Sequence, residues 1–264
     1  MKWSRQAEEE ISRAPFFVRK KVRKRVEEEA ARQNATEVGV EHIQSCRKKF
    51  LRNMEDEVKG YQVEACFGRG GCPNRAVNDS GLLERIEDIL SKKDLKGALT
   101  AKVQGPLKLH HEFRISVADC PNACSRPQIV DVGLIGVSRP QVLGKSCNGC
   151  ASCVEVCRED AIVLDEQEHP RIDREKCLSC GQCAAVCPTG TIITSQRGYR
   201  ILVGGKLGRH PQLGKDLGSI HTPEEAIETV DKCVEHYLAH SQGGERFGDV
   251  LKRIDIKAQI INKD

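Results

Sequence analysis

Cysteine carries most of the chemistry in this sequence, with 14 in 264 residues. Eight of them repeat one spacing, C-x2-C-x2-C-x3-C: Cys147, Cys150, Cys153 and Cys157, then Cys177, Cys180, Cys183 and Cys187. Three thiolates so close in sequence wrap three corners of a cubane, while the fourth is carried off along the chain and reaches the neighbouring cluster. The expected ligands of a first 4Fe-4S cluster are therefore Cys147, Cys150, Cys153 and Cys187, and of a second Cys177, Cys180, Cys183 and Cys157. Zinc is the alternative, but it prefers paired C-x2-C knuckles with four ligands per site. A disulfide framework belongs to short secreted chains. The opening run MKWSRQAEEEISRAPFF mixes both charge signs and lacks the apolar core of a secretory signal.

A second constellation has another form: Cys66-x5-Cys72 and Cys120-x3-Cys124, the latter within DCPNAC. Each pair follows a β-branched run, YQVEACFG or HEFRISVAD, that reads as a strand. Four thiolates on two neighbouring strand-to-loop turns would converge on a third 4Fe-4S cluster; four buried structural cysteines are the alternative. Cys46 and Cys233 stand apart, on predicted helices among Ile43 and Phe50 or Ile227, Val230 and Leu238, where a buried free thiol is the ordinary case.

The elements that must position these thiols fall into three regions. Residues 1–54 read as a helical unit. Pro15 suits a first helical position, Val18, Val22 and Val26 draw an apolar stripe on the helix after it, and another helix covers Val40 to Met54. The basic run Arg19 to Arg25 is followed by Glu27, Glu28 and Glu29, four residues beyond Arg23, Lys24 and Arg25, so a self-paired, solvated face is expected rather than a nucleic-acid patch.

From Tyr61 onward strands alternate with helices. QIVDVGLIGV and YRILVGG continue the strands, one helix spans Gly81 to Leu95 opened by Asp79 or Ser80, and another spans Thr222 to Ser241, where Thr222, Pro223 and Glu225 spell a capping box. Residues 55–144 and 196–264 thus make an α+β region, a mixed sheet with helices. Residues 145–195 interrupt it. There KSCNGCASCVEVCREDAIVL and EKCLSCGQCAAVCPTGTIIT align cysteine on cysteine, a duplication that carries its own ligands and is expected to be a domain.

No window approaches the roughly eighteen apolar residues of a membrane span. A net charge of +4 against 42 basic and 38 acidic residues sets up no field for a polyanion. Neither a membrane nor a nucleic acid is an expected partner, and the expected location is the cytoplasm.

The duplicated segment resembles bacterial two-cluster ferredoxins over about fifty residues, apart from Arg158 where proline usually follows the fourth cysteine. The surrounding region resembles the iron-sulfur and siroheme half of sulfite and nitrite reductases, dissimilatory type, in ACFGRGGC, ISVADCPNACSRPQIVDVGLIG, YRILVGGKLGRHPQLG and GERFGDVLKRI. PFFVRKKVRKRVEEEAARQNATEVGVEHI resembles the small helical domain of a light-independent protochlorophyllide reductase subunit, which lies close to a tetrapyrrole.

The second resemblance implies siroheme beside the third cluster, with the Cys124 sulfur shared between them and Asn122, Gly204 and Gly205 near the macrocycle. It implies a small oxyanion substrate, sulfite or nitrite, and a low-potential electron donor protein. Arg114 is the clearest candidate cation for substrate, with Lys108, His110, His111 and Lys206 as further candidates. Two departures stand out. The reductases carry two such repeats and this chain only the cluster-bearing one, which implies a partner subunit or a homo-oligomer. Asp119 also stands where the family usually has glycine. The expected function is a siroheme-dependent oxidoreductase fed by the ferredoxin clusters; the alternative is an electron-transfer subunit with three clusters and no siroheme.

Overall fold

The computed structural model describes residues 1–78, 81–144 and 147–254. It divides into two units, Met1–Lys59 with Val103–His110, and Gly60–Lys102 with His111 onward.

The first unit is helical. A short strand β1 (Lys2–Trp3) leads to α1 (Arg5–Ser12) and α2 (Phe16–Arg32), and β2 (Glu37–Val38) pairs in parallel with β1 before α3 (Val40–Glu57). Pro15 is the residue before α2 rather than its first helical residue; its extended ψ of 137° starts the helix one position later than expected. Val26, Ala30 and Val38 form the core, with Val22 and Ile43 against it.

The charged run on α2 is not self-paired as expected. Arg23 reaches Glu8 on α1 with both terminal nitrogens, at 2.6 and 2.7 Å, and lies 4.3 Å from the centre of the Trp3 ring. Glu27 accepts a hydrogen bond from Trp3 Nε1 at 2.8 Å. Glu29 is buried and accepts from Lys49, Gln33 and Ser45; Lys49 first, then Gln33, hold its carboxyl down at about 2. Sequence spacing offers partners one turn away, and Gln33 is one for Glu29, but Arg23, Glu27 and Glu29 also reach partners on α1, β1 and α3. Cys46 donates to the Arg25 carbonyl, and burial pushes its thiol up.

The second unit is built on a mixed five-stranded sheet. Its strands are β3 (Tyr61–Ala65), β4 (Phe113–Ala118), β5 (Val132–Val142), β8 (Ile192–Val203) and β9 (Lys215–His221), in the order β3-β4-β5-β8-β9. The first three run parallel and the last two pairings are antiparallel. A parallel neighbour needs a crossover, supplied between β3 and β4 by α4 (Leu82–Ser91) and α5 (Leu95–Lys102). One helix was expected here, to Leu95; it ends instead at Ser91, and a second helix, not expected, starts after Asp94, whose carboxylate accepts from Gly97 N at 2.9 Å. The expected cap at Asp79 or Ser80 lies outside the described residues.

The cysteine-rich segment sits at the tip of the β5–β8 hairpin, whose last pair is Val142 with Ile192. It contains α6 (Ser152–Val156), the small hairpin β6 (Ile162–Leu164) and β7 (Pro170–Ile172), and α7 (Gln182–Val186). It folds back on β5: Ser138 N donates to Ser179 O at 2.7 Å, and Arg174 donates to the Pro140 carbonyl at 2.8 Å. Pro140, which has no N–H to give, falls at a register shift in the β5–β8 ladder.

α8 (Pro223–His240) packs on the sheet and α9 (Phe247–Arg253) follows it. Both capping-box bonds of α8 form, Glu225 N to Thr222 Oγ1 at 3.2 Å and Thr222 N to Glu225 Oε2 at 2.9 Å. Phe113 of β4 meets Tyr237 and Phe247 at ring-centre distances of 5.2 and 5.3 Å. Cys233 is fully buried in α8, which drives its thiol well up and makes it a packing residue.

Asp131 ties these layers together. It is 1% exposed and accepts from Arg114 N at 2.8 Å and from Arg246 Nη2 at 2.6 Å. Burial pushes its carboxyl up against the opposing pull of Arg246. Arg246→Met should leave this carboxylate unpaired and cost about 3–5 kcal/mol of stability; a urea melt of the variant within 1 kcal/mol of the unaltered protein would show that the pair is not needed.

Candidate iron-sulfur centres

Because β3 and β4 are parallel, with Ala65 opposite Val117, the loops that follow them leave from the same end of the sheet. Cys66 N closes the ladder on Val117 O at 3.0 Å. A 3-10 turn over Phe67–Gly70 then runs to Cys72, whose N–H donates to Gly68 O at 3.2 Å. In the second loop Ala123 and Arg126 hold left-handed φ values of 52° and 58°, a strain of roughly 1 kcal/mol each for side chains of this kind. Ser125 fixes that curl, donating through its hydroxyl to Val117 O at 2.8 Å and accepting on its carbonyl from Ser116 Oγ at 2.7 Å.

The thiols of the two loops face one another. Burial raises the Cys120 thiol, and negative charge on Cys66, Cys72 and Cys124 adds to that rise. Donors converge on the sulfurs: Gly68 N and Asp119 N on Cys66 Sγ, each at 3.3 Å, and Asn122 Nδ2 on Cys124 Sγ at 3.0 Å. Such donors favour an anionic, metal-bound sulfur. Cys120 is buried and Cys124 exposed, so this set has an inner and an outer side.

The duplicated segment is arranged the same way twice. A left-handed residue, Ala151 or Gly181, precedes each short helix, and Cys153 and Cys183 are buried at matching positions. Burial pushes the Cys183 thiol up to about 12, with further contributions from Cys180 and Cys177 and from Cys157 of the other half. Cys153 is raised by burial and by Cys147 and Cys150. Burial is also the largest influence on Cys187, but the Ile192 amide, the Thr189 hydroxyl and neighbouring amides outweigh it and hold the thiol below its usual value. Among the described residues no three His, Cys, Asp or Glu side chains form a group for a single metal ion. A cubane is larger, and its four thiolates bind four different irons.

A cleft of about 310 Å³ joins the two regions. Cys120 and Asn122 line one wall, and Cys157, Cys177, Cys180 and Cys183 line the other. Arg158, which follows Cys157, borders the same cleft. A larger cavity, about 640 Å³ beside Val142, His169 and Thr191, touches none of the described cysteines.

The other expected site residues are placed unevenly. Asn122 is at the thiols. Arg114 is not: it lies near the start of β4, about 20 Å of extended chain before Cys120, and its guanidinium binds Gln62 at 3.0 Å and Glu64 at 3.4 Å. The Lys206 ammonium is held by both oxygens of Asp249. Lys108 belongs to the first unit. Gly204 and Gly205 are both called for by the protein's own fold, Gly204 by its left-handed φ of 77° and Gly205 because a Cβ would meet the Gln128 carbonyl oxygen at 2.4 Å. Two cations outside the expected set lie on the cysteine loops themselves: Arg75, three positions past Cys72 and 3.0 Å from Asp119 Oδ2, and Arg126, two positions past Cys124. Their nearness in sequence to Cys72 and Cys124 was the available signal.

The sequence pattern of the nitrite and sulphite reductase 4Fe-4S domain matches residues 59–259. The chain belongs to that family. Residues 3–47 match the family described as proto-chlorophyllide reductase 57 kD subunit. Among curated proteins, this nitrite and sulphite reductase domain is 36% identical over 192 residues to a coenzyme F420-dependent sulfite reductase of Methanocaldococcus jannaschii, covering 72% of this chain and 28% of the relative. It is 25% identical over 138 residues to one of the subunits of the anaerobic sulfite reductase of Salmonella typhimurium, covering 47% and 36%. The chain thus spans about a third of the length of these two relatives. A crystal structure of dissimilatory sulfite reductase I has the same fold, with a TM-score of 0.52 at 18% identity over 76% of this chain and 52% of that one.

The thiol sets predict a specific cross-dependence. Cys157→Ala, though in the first half of the duplication, should strip the cluster of Cys177, Cys180 and Cys183 and lower the iron content from about twelve to about eight per chain. Loss instead of the cluster held by Cys147, Cys150 and Cys153 would show that the halves do not exchange ligands.

Proposed function

We propose that this domain is the cluster-bearing, electron-delivering part of a sulfite- or nitrite-reducing enzyme. Cys147, Cys150, Cys153 and Cys187 would hold one cluster, Cys177, Cys180, Cys183 and Cys157 a second, and Cys66, Cys72, Cys120 and Cys124 a third. The observation that carries the reading is the cleft shared by Cys120 and the Cys177 set. It supports a relay in which the second cluster position, rather than the first, would neighbour the third.

Cys124 is the thiol suited to siroheme, being exposed while Cys120 is buried. When bound, these groups supply single electrons and a metal centre that activates a small oxyanion. The chain's own part is to present the Cys124 sulfur, oriented by Asn122 Nδ2, and to offer surface for a macrocycle. Phe67 beside Cys66 is 92% exposed, and Leu207 and Leu213 are exposed on the hairpin that returns to Gln128 through Gly214 N at 2.7 Å. Arg126, on the loop of Cys124, and Arg209 and His210, on that hairpin, are exposed and suit carboxylates or a bound anion.

Arg114 and Lys206 are engaged elsewhere, which favours completion of the anion pocket by a partner subunit or a second copy. The same engagement favours the second reading, an electron-transfer subunit with three clusters and no siroheme. The electron donor would be a low-potential protein, and the setting a reducing cytoplasm in which the thiols stay available.

The absorption spectrum of anaerobically purified protein separates the two readings. Siroheme bands, retained or restored on reconstitution, are the expected result; cluster absorption alone after reconstitution leaves the electron-transfer reading. In the siroheme-bearing fraction, Cys124→Ser should change the axial-ligand region of the spectrum, whereas Cys66→Ser should lower cluster content without that change. Equal spectral effects of the two would sink the assignment of Cys124.

A further inference from the structure

A carboxylate beside a cluster ligand has the wrong sign for its surroundings. Asp119 immediately precedes Cys120, where a set of four thiolates and any cluster they carry is already anionic. Buried charge of this kind is tolerated only with a partner. Asp119 is 8% exposed in its side chain, and its partner is Arg75, 20% exposed, with Nε 3.0 Å from Oδ2. The two atoms lie out of line for a hydrogen bond, so the attraction is between charges.

The backbone of Asp119 is equally committed. Its N–H donates to Cys66 Sγ at 3.3 Å, and its carbonyl accepts from Ala76 N at 2.8 Å and Val77 N at 3.3 Å. Residue 119 therefore grips the other cysteine loop at its first cysteine and beyond its second. Arg75 is itself bonded to that loop, its N–H reaching Cys72 O at 3.4 Å. Room for the carboxylate comes from Gly68, where a Cβ would lie 2.3 Å from Asp119 Oδ2.

We infer that Asp119 and Arg75 form a charge-balanced clasp that joins the two cysteine loops and sets how readily the cluster held by Cys66, Cys72, Cys120 and Cys124 accepts an electron. This rests on the reading that those four cysteines hold one cluster. Reduction adds a negative charge to the cluster; a nearby cation stabilises the reduced form and a nearby anion opposes it. Together the two side chains nearly cancel. Removing one leaves the other to act alone, so Asp119 and Arg75 are positioning residues whose electrostatic effects have opposite signs.

The test uses the full chain with its clusters, titrated anaerobically with dithionite as the electron source and followed by electron paramagnetic resonance. Asp119→Asn should move the midpoint potential of this cluster upward, Arg75→Gln should move it downward, and the double variant should return close to the unaltered value. The clusters whose ligands lie on residues 147–187 should keep their potentials throughout. Shifts of one sign in both single variants, or none in either, would overturn the clasp. Should Arg75→Gln fail to hold the cluster, Arg75→Lys should hold it near the unaltered potential, and loss in both would count against an electrostatic role. An unaltered protein with about eight irons rather than about twelve overturns the four-cysteine ligand set itself, a failure distinguishable from that of the clasp.

Discussion

The parallel pairing of β3 with β4 is the constraint on which the rest of the site depends. Cys66 and Cys120 are far apart in sequence, and they adjoin only because both strands end at the same edge, with Ala65 level with Val117. An antiparallel pair would have sent the two loops to opposite ends of the sheet. The crossover through α4 and α5, the burial of Phe113 against Tyr237 and Phe247, and the Asp131–Arg246 pair all hold β4 at that register.

The same edge explains how polar groups divide between support and chemistry. Backbone donors and Asn122 turn toward sulfur. The long cations farther from the edge are consumed in tying elements together, Arg114 across to β3 and Lys206 to α9. A guanidinium or ammonium with a carboxylate in reach makes a contact that the fold retains, and its residue type alone does not reveal that commitment.

Local chemistry was the legible part of the sequence. The paired C-x2-C-x2-C-x3-C runs, the strands before Cys66 and Cys120, and the Thr222 capping box all depend on near neighbours in the chain, and each could be read from spacing. β9 was missed because it is an edge strand with a mostly polar, exposed sequence and a left-handed Gly218, so it shows no apolar alternation. The helix after residue 81 was drawn too long because Asp94 has the same hydropathy on a helix surface as at a cap. Glu29 reads as solvated from the sequence because only the tertiary fold brings Lys49 and Ser45 of α3 to it.

The cysteine-rich segment enters and leaves the sheet through one closed base pair of strands, Val142 beside Ile192. Its two ends are therefore already neighbours whether the segment is long or short, and lengthening a closed loop costs chain entropy only logarithmically. A whole segment can be gained, exchanged or lost at this hairpin without rerouting any strand of the host sheet. Such a connection lets the cysteine-rich segment vary on its own schedule while the edge bearing Cys66 and Cys120 keeps its form.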